Sequence, residues 1–256
     1  LATLKQQALA LHADAVGDRG AEEHHAAFDR ALTALFLHYQ PIVVWSTRSV
    51  LGYEALVRSK EASLPHPGAL FEAAEKLGRL QDLGRGVRRL APGPMESQTA
   101  RLFVNLHATD LTDDELFAKD SPLALMASRV TLEITEGTSL NVVPDSKRRL
   151  NDLKAMGFTI AVDDIGAGYA GLTSFAQIEP DVAKLDMTLI RDVDRIPRKQ
   201  AIIRSFGELC GDLNISMICE GVETAEERDT LVELGCDLFQ GYLFAKPGLP
   251  FPDPTF

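Results

Sequence analysis

The sequence predicts an α/β fold: an irregular TIM (β/α)8 barrel with an antiparallel strand near its start. Three observations carry that expectation. From Phe36 nearly to the end of the chain, short β-rich runs alternate with helical ones; this implies a parallel sheet, and the number of runs suits a closed barrel. The first two runs are joined only by Trp45 to Val50, too short for a helical crossover, so they should form an antiparallel hairpin. Polar residues recur where the runs end: Glu54, Asn105, Glu133, Asp163 with Asp164, Lys184, Asp186, Glu220 and Gln240. Such placement is expected of a site built on a barrel rim.

Residues 1–34, rich in Ala, Leu, Glu and His, carry no strand signal and read as a helical connector split near Gly17 to Gly20. Residues 35–256 read as the barrel. His24 and His25 are adjacent, and neighbours diverge on a helix, so they read as a solvated face rather than a metal pair. The strand candidates are 38–44, 51–58, 102–107, 130–135, 159–163, 182–186, 216–220 and 238–243. Between them Leu70, Phe71, Ala74, Leu77 and Leu80 recur at helical spacing. Thr112 with Glu115, and Thr224 with Glu227, read as capping boxes. Pro144 suits a helix start, and Gly157 and Gly235 suit helix stops.

Composition excludes several classes of function. The chain has 256 residues, 45% hydrophobic and 25% charged, with a formal charge of −11. Affinity for DNA or RNA polymers comes mainly from Lys and Arg on phosphates, so non-specific nucleic-acid binding is not expected and any phosphate ligand must be met locally. Cys210, Cys219 and Cys236 are odd in number and lack metal-ligand spacing, which suits a reducing cytoplasm better than a disulfide framework. No membrane segment is expected, since no apolar run approaches the roughly 20 residues a span requires, and no signal-peptide pattern is present. The start at Leu1 rather than Met reads as that of a fragment.

Strand parity sharpens the polar set. Glu54, Leu56 and Arg58 share one face, as do Lys184 and Asp186. A face mixing Glu with Arg, or Lys with Asp, is not ordinary core; it reads as a wet or metal-filled interior. Each carboxylate alone could be a surface charge or a helix cap, but that reading does not predict their repeated placement after apolar strands. Asp163 and Asp164 would point to opposite faces within a strand, so both reach one site only where the strand ends; Gly166 and Gly168 permit such a turn. The glycines do not have dinucleotide-loop spacing, and two preceding carboxylates would repel a pyrophosphate. Crowded carboxylates must share cations or protons. All-oxygen ligands, with the Asn105 amide among them, suit Mg²⁺ or Mn²⁺, and two ions bridged by an aspartate would activate water for phosphoryl chemistry. Lys184 and Arg58 either supply positive charge to phosphate oxygens or pair with neighbouring carboxylates.

These residues also carry a family resemblance. Tyr39-Gln40-Pro41-Ile42 and Glu54-Ala55-Leu56-Val57-Arg58 are followed in order by Val104-Asn105-Leu106, Leu132-Glu133-Ile134-Thr135-Glu136 and Asp163-Asp164-Ile165-Gly166-Ala167-Gly168-Tyr169. Lys184-Leu185-Asp186, Glu220-Gly221-Val222-Glu223-Thr224 and Gln240-Gly241-Tyr242 complete the set. The series resembles the EAL-domain family of bacterial cyclic di-GMP phosphodiesterases, from residue 36 to about 247.

The resemblance implies an irregular TIM barrel that hydrolyses cyclic di-GMP to linear 5′-pGpG with two Mg²⁺ or Mn²⁺ ions. By motif position Glu54, Asn105, Glu133 and Asp163 resemble ligands of one metal, with Asp163 and Asp164 reaching a second. Lys184 resembles the lysine that orients or activates the attacking water, and Glu220 a general base or a participant in the metal and water network. Gln40, Leu56, Arg58 and Gln240 match positions on the substrate side, while Glu136, Asp186 and Glu223 stand behind them. Ile165, Ala167, Cys219 and Ser59 depart from common family residues in the loop packing and pocket wall, and Lys60 to Pro67 lacks an Arg-His-Pro-like run. A homodimer, an upstream sensory or regulatory domain and a bacterial cytoplasmic setting are also expected. The alternatives are a non-catalytic cyclic di-GMP receptor and an unrelated barrel hydrolase.

Overall fold

The structure, a computed structural model, describes residues 22–135, 143–167 and 171–256, without the side chains of 171–174. Residues 1–21 of the expected connector therefore lie outside the described residues. A helix over 22–33, α1, follows. It buries Phe28 and Ala31 in the main apolar cluster and exposes His24 and His25.

Eight strands close a barrel in sequence order. β1 (Leu35–Val44) and β2 (Ser49–Ser59) form the hairpin expected from their short connection. β3 (Arg101–Asn105), β4 (Val130–Thr135), β5 (Thr159–Ile165), β6 (Val182–Leu185), β7 (Ser216–Cys219) and β8 (Leu238–Phe239) follow, each parallel to the strand before it. β1 alone is reversed, antiparallel to both β2 and β8. The last strand is shorter than expected: at Gly241 a Cβ would lie 2.0 Å from the Val222 carbonyl oxygen, so the chain leaves the barrel by crossing the loop after β7.

The helices are α2 (Pro67–Lys76), α3 (Leu80–Leu90), α4 (Pro92–Met95), α5 (Ser146–Ala155), α6 (Gly171–Ile178), α7 (Met187–Ile190), α8 (Pro197–Asp212) and α9 (Ala225–Glu233). The Leu70 to Leu80 periodicity spans two helices, because Gly78 takes φ 65° between them and Leu80 opens α3. Glycines at φ 103° and 90°, Gly157 and Gly235, stop α5 and α9 as expected. The Thr224–Glu227 capping box is present. The Thr112–Glu115 box is not: Asp113 caps that 3-10 turn by accepting the Glu115 N–H at 3.1 Å. Its carboxylate is also gripped by Arg85 and Arg88, while the Thr112 hydroxyl is engaged elsewhere, donating to the Thr109 carbonyl at 2.8 Å and accepting from Gln81 Nε2 at 2.9 Å.

The strand period of two builds the interior in layers. Ile42, Phe103, Ala161, Val182 and Ile218 pack together at the barrel centre, with Leu238 against them. Two residues further toward the rim stand Gln40, Asn105, Asp163, Lys184, Glu220 and Gln240. Thr131 and Glu133 repeat the pattern on β4, as do Gly52 and Glu54 on β2. Every strand thus lays one small or apolar residue under one polar residue. Gly52 has no side chain because the Phe103 ring takes its space: a Cβ would fall 2.6 Å from the Arg101 carbonyl oxygen and 2.7 Å from Phe103 Cε2. Overpacking of this kind costs about 1–3 kcal/mol, and Gly52→Ala is expected to lower the urea midpoint accordingly; an unchanged midpoint would refute the layer account.

Candidate active site

The polar layer converges on one ammonium group. Lys184 is fully buried on β6, and its Nζ lies 2.5 Å from Glu133 Oε1, 2.6 Å from Glu220 Oε1, 3.3 Å from Asp163 Oδ1 and 3.5 Å from Glu54 Oε2. Strands β2, β4 and β5 each aim one carboxylate at it, and the residue that follows β7 aims a fourth. Burial alone would lower the lysine pKa; Asp163, Glu133, Glu220 and Glu54 outweigh burial and hold it well above the ordinary value. Glu133 and Glu220 are pushed upward, chiefly by burial, against the opposing pull of Lys184.

Glu54 joins this cluster to the amides around it. Asn105 Nδ2 donates to its Oε1 at 2.9 Å, and Gln240 Nε2 donates to its Oε2 at 2.7 Å. Gln40, paired with Glu54 in the β1–β2 register, places its Oε1 3.2 Å from the same Gln240 nitrogen. Reversal of β1 matters here, since it brings a mid-strand side chain to the level where parallel strands end.

Asp163 and Asp164 both serve this mouth, but not through a strand end. β5 continues to Ile165, its register with β6 shifts between Val162 and Ile165, and Asp164 takes φ 59°. A left-handed residue inside a bulge redirects one side chain, and oxygens of Asp163, Asp164 and Glu220 come within 4.8 Å of one another. Burial, then Asp163, raises the Asp164 pKa to about 6. Gly168 of the expected turn lies outside the described residues.

The mouth opens into a cavity of about 310 Å³ lined by Leu56, Asp186, Met187, Glu223 and Tyr242 besides the groups above. Asp186 is not among the carboxylates paired with Lys184: β6 ends at Leu185, and Asp186 Oδ1 instead caps α7 by accepting the Thr188 N–H at 2.8 Å. Glu223 pairs with Arg191 at 2.6 Å. Arg58 faces an adjoining, mostly apolar cavity of about 350 Å³ that also takes in Leu56, Phe71 and Asn105; its Nη1 donates to the Val57 carbonyl at 2.8 Å. Glu136 lies outside the described residues. Sequence reading did not single out Met187 or Tyr242 as site residues, nor the buried Arg88–Asp110–Asp113 network behind β3. The exposure of two large side chains beside a charged mouth is a tertiary fact. A larger apolar cavity of about 640 Å³ lies by Phe175 and Phe206 and has no carboxylate among the described lining residues, so charge rather than size marks the site.

The donor set accommodates hard divalent cations. Glu133 Oε2 is buried with no hydrogen-bond partner, and Gln240 Oε1 likewise. Buried oxygens without partners, surrounded by carboxylates and an amide, suit Mg²⁺ or Mn²⁺ better than a soft metal.

Fold and site together define a (β/α)8 barrel with a carboxylate and lysine cluster at the rim, the class of architecture that hosts metal-assisted hydrolysis. The model of the EAL domain matches residues 25–247. The chain belongs to the EAL domain family. It is 34% identical over 226 residues to the cyclic di-GMP phosphodiesterase RocR of Pseudomonas aeruginosa, covering 82% of this chain and 56% of RocR. It is 32% identical over 224 residues to the cyclic di-GMP phosphodiesterase PdeR of Escherichia coli, covering 83% and 34%. The chain thus spans about a third to just over half of these relatives. Klebsiella pneumoniae BlrP1, in a calcium and cyclic di-GMP complex, matches with TM-score 0.77 and 31% identity, over 86% of this chain and 57% of that one. The PaMucR phosphodiesterase in complex with cyclic di-GMP matches with TM-score 0.75 and 30% identity, over 88% and 97%. Among the described residues no helix is long and apolar enough to cross a membrane.

Proposed function

We propose that this chain is a metal-dependent phosphodiesterase that hydrolyses cyclic di-GMP to linear 5′-pGpG. The observation that carries the reading is the convergence of Glu54, Glu133, Asp163 and Glu220 on Lys184, with Asp164 beside them. Glu54, Asn105, Glu133 and Asp163 would hold one Mg²⁺ or Mn²⁺, and Asp163 with Asp164 a second. Such ions supply charge for the phosphoryl oxygens and make water acidic enough to attack near neutral pH.

Within that site Lys184 orients the attacking water. Glu220, which it touches, receives the water proton or steadies the water and metal network. Water oxygen bonds to phosphorus, the P–O3′ bond breaks, and the 3′ oxygen takes up a proton, leaving one 5′-phosphate. Gln40, Leu56, Arg58 and Gln240 bind the substrate. Asp186 and Glu223, which line the mouth, support the groups that hold metal and substrate, and Glu136 is assigned the same supporting role. Residues 1–34 act as a connector to an upstream sensory or regulatory domain, and the protein works as a cytoplasmic homodimer.

Incubation with cyclic di-GMP and Mg²⁺ or Mn²⁺ is expected to yield 5′-pGpG on chromatography, and EDTA to stop it. Ligand binding without product under both ions would overturn the enzymatic reading in favour of a receptor. Sedimentation of the same sample checks the dimer.

A further inference from the structure

Glu227 lies in the first turn of α9 and is only 2% exposed. A buried carboxylate is costly unless its oxygens are used, and here they serve two different loops. Oε2 accepts the Glu223 N–H at 3.0 Å and the Thr224 N–H at 3.2 Å. Oε1 accepts the Asp192 N–H at 3.0 Å. The Thr224 bond belongs to the capping box and serves the helix. The Asp192 bond does nothing for α9; it reaches the loop after β6, where Asp192 holds a left-handed φ of 57°. Arg191, next to Asp192, returns the tie by pairing with Glu223 at 2.6 Å.

The two loops joined in this way form one side of the active-site mouth. Asp186 and Met187 come from the loop after β6, and Glu220, Gly221 and Glu223 from the loop after β7; all line the same cavity. The loops also touch directly: a Cβ on Gly221, which has φ 67°, would fall 2.4 Å from Met187 Cβ. Lys184 and Glu220, 2.6 Å apart, stand at the strand ends that launch them. A relative shift of the loops therefore moves both wall and reacting groups.

We propose that Glu227 is a positioning residue for the hydrolysis, holding the loops after β6 and β7 in the relative placement that the Lys184–Glu220 contact requires. The inference rests on the phosphodiesterase reading above. Glu227→Gln keeps the shape but offers one oxygen where two are used and turns an NH₂ toward a backbone donor. With the intact chain, cyclic di-GMP and Mn²⁺, this variant is expected to lose about 10- to 100-fold in kcat, as small misplacements of reacting groups do, with KM changed less than about twofold. Thr224→Ala is the control. It removes the hydroxyl that accepts the Glu227 N–H at 3.2 Å, so it weakens the same helix start while leaving the carboxylate's bonds in place. Its melting midpoint should fall while kcat stays within about twofold of the parent.

Wild-type kcat in Glu227→Gln, or a kcat loss in both variants that tracks their loss of stability, overturns the proposal. Should the Gln variant give no cooperative melt, Glu227→Asp, which keeps the charge and shortens the reach by one methylene, is read by the same criteria. An inactive parent would refute the phosphodiesterase reading itself, a separate outcome seen before any variant is compared.

Discussion

Glu54→Ala is expected to reduce cyclic di-GMP turnover by about 10³-fold or more, the scale on which removal of a central electrostatic group acts. The reason is connectivity. Glu54 Oε2 faces both Lys184 Nζ and Gln240 Nε2, and Oε1 takes the Asn105 amide. Truncation therefore removes a proposed metal ligand and frees two amide donors at once. A buried donor left unpaired costs about 1–3 kcal/mol, so some loss of stability accompanies the loss of rate. Glu54→Gln separates these effects, since it retains the shape and an acceptor while losing the charge. Turnover should remain low in the Gln variant, and calorimetry should show weakened Mn²⁺ binding. Rates within tenfold of the parent in either variant would remove Glu54 from the proposed metal set.

Lys184→Met should act on both stability and rate. Four carboxylates face Nζ within 3.5 Å, and a side chain of similar length without charge leaves them facing one another. Breaking a buried ion pair by removing one partner costs about 3–5 kcal/mol. In EDTA the variant should melt well below the parent. Added Mn²⁺ should raise its melting temperature more than it raises that of the parent, because a cation replaces the missing positive charge. Turnover should fall by about 10²–10⁴, the range of a positioned proton-transfer group, and Mn²⁺ should not restore it. Equal melting of variant and parent in EDTA would refute the view that Lys184 neutralises the cluster.

Much of the barrel was legible because each strand states its own direction. Val130–Thr135 matches its expected bounds, and the β1–β2 hairpin followed from a connection too short for a helix. Parity on β2 and β6 marked Glu54 and Lys184 as inward. Errors arose where the governing contact lies far away in sequence. Asp113 displaced Thr112 as a cap because Arg85 and Arg88 on α3 hold its carboxylate. β8 ended early because Val222 crosses beneath Gly241. Asp186 still lines the mouth, but it caps α7 rather than pairing with Lys184 because the chain turns into that helix after Leu185.

The sequence by itself determined the alternation of strand and helix, the reversed first hairpin and the polar residues gathered at strand ends, since all of these follow from local period, connection length and motif order. Only the tertiary structure decided how those residues meet. The β5 bulge turns Asp163 and Asp164 toward one mouth, β1 reversal brings Gln40 beside Gln240, and barrel closure sets four carboxylates around Lys184. The physical reason is that a side chain's face is fixed by its own strand, whereas its neighbour across the barrel is fixed by the register of every strand between them.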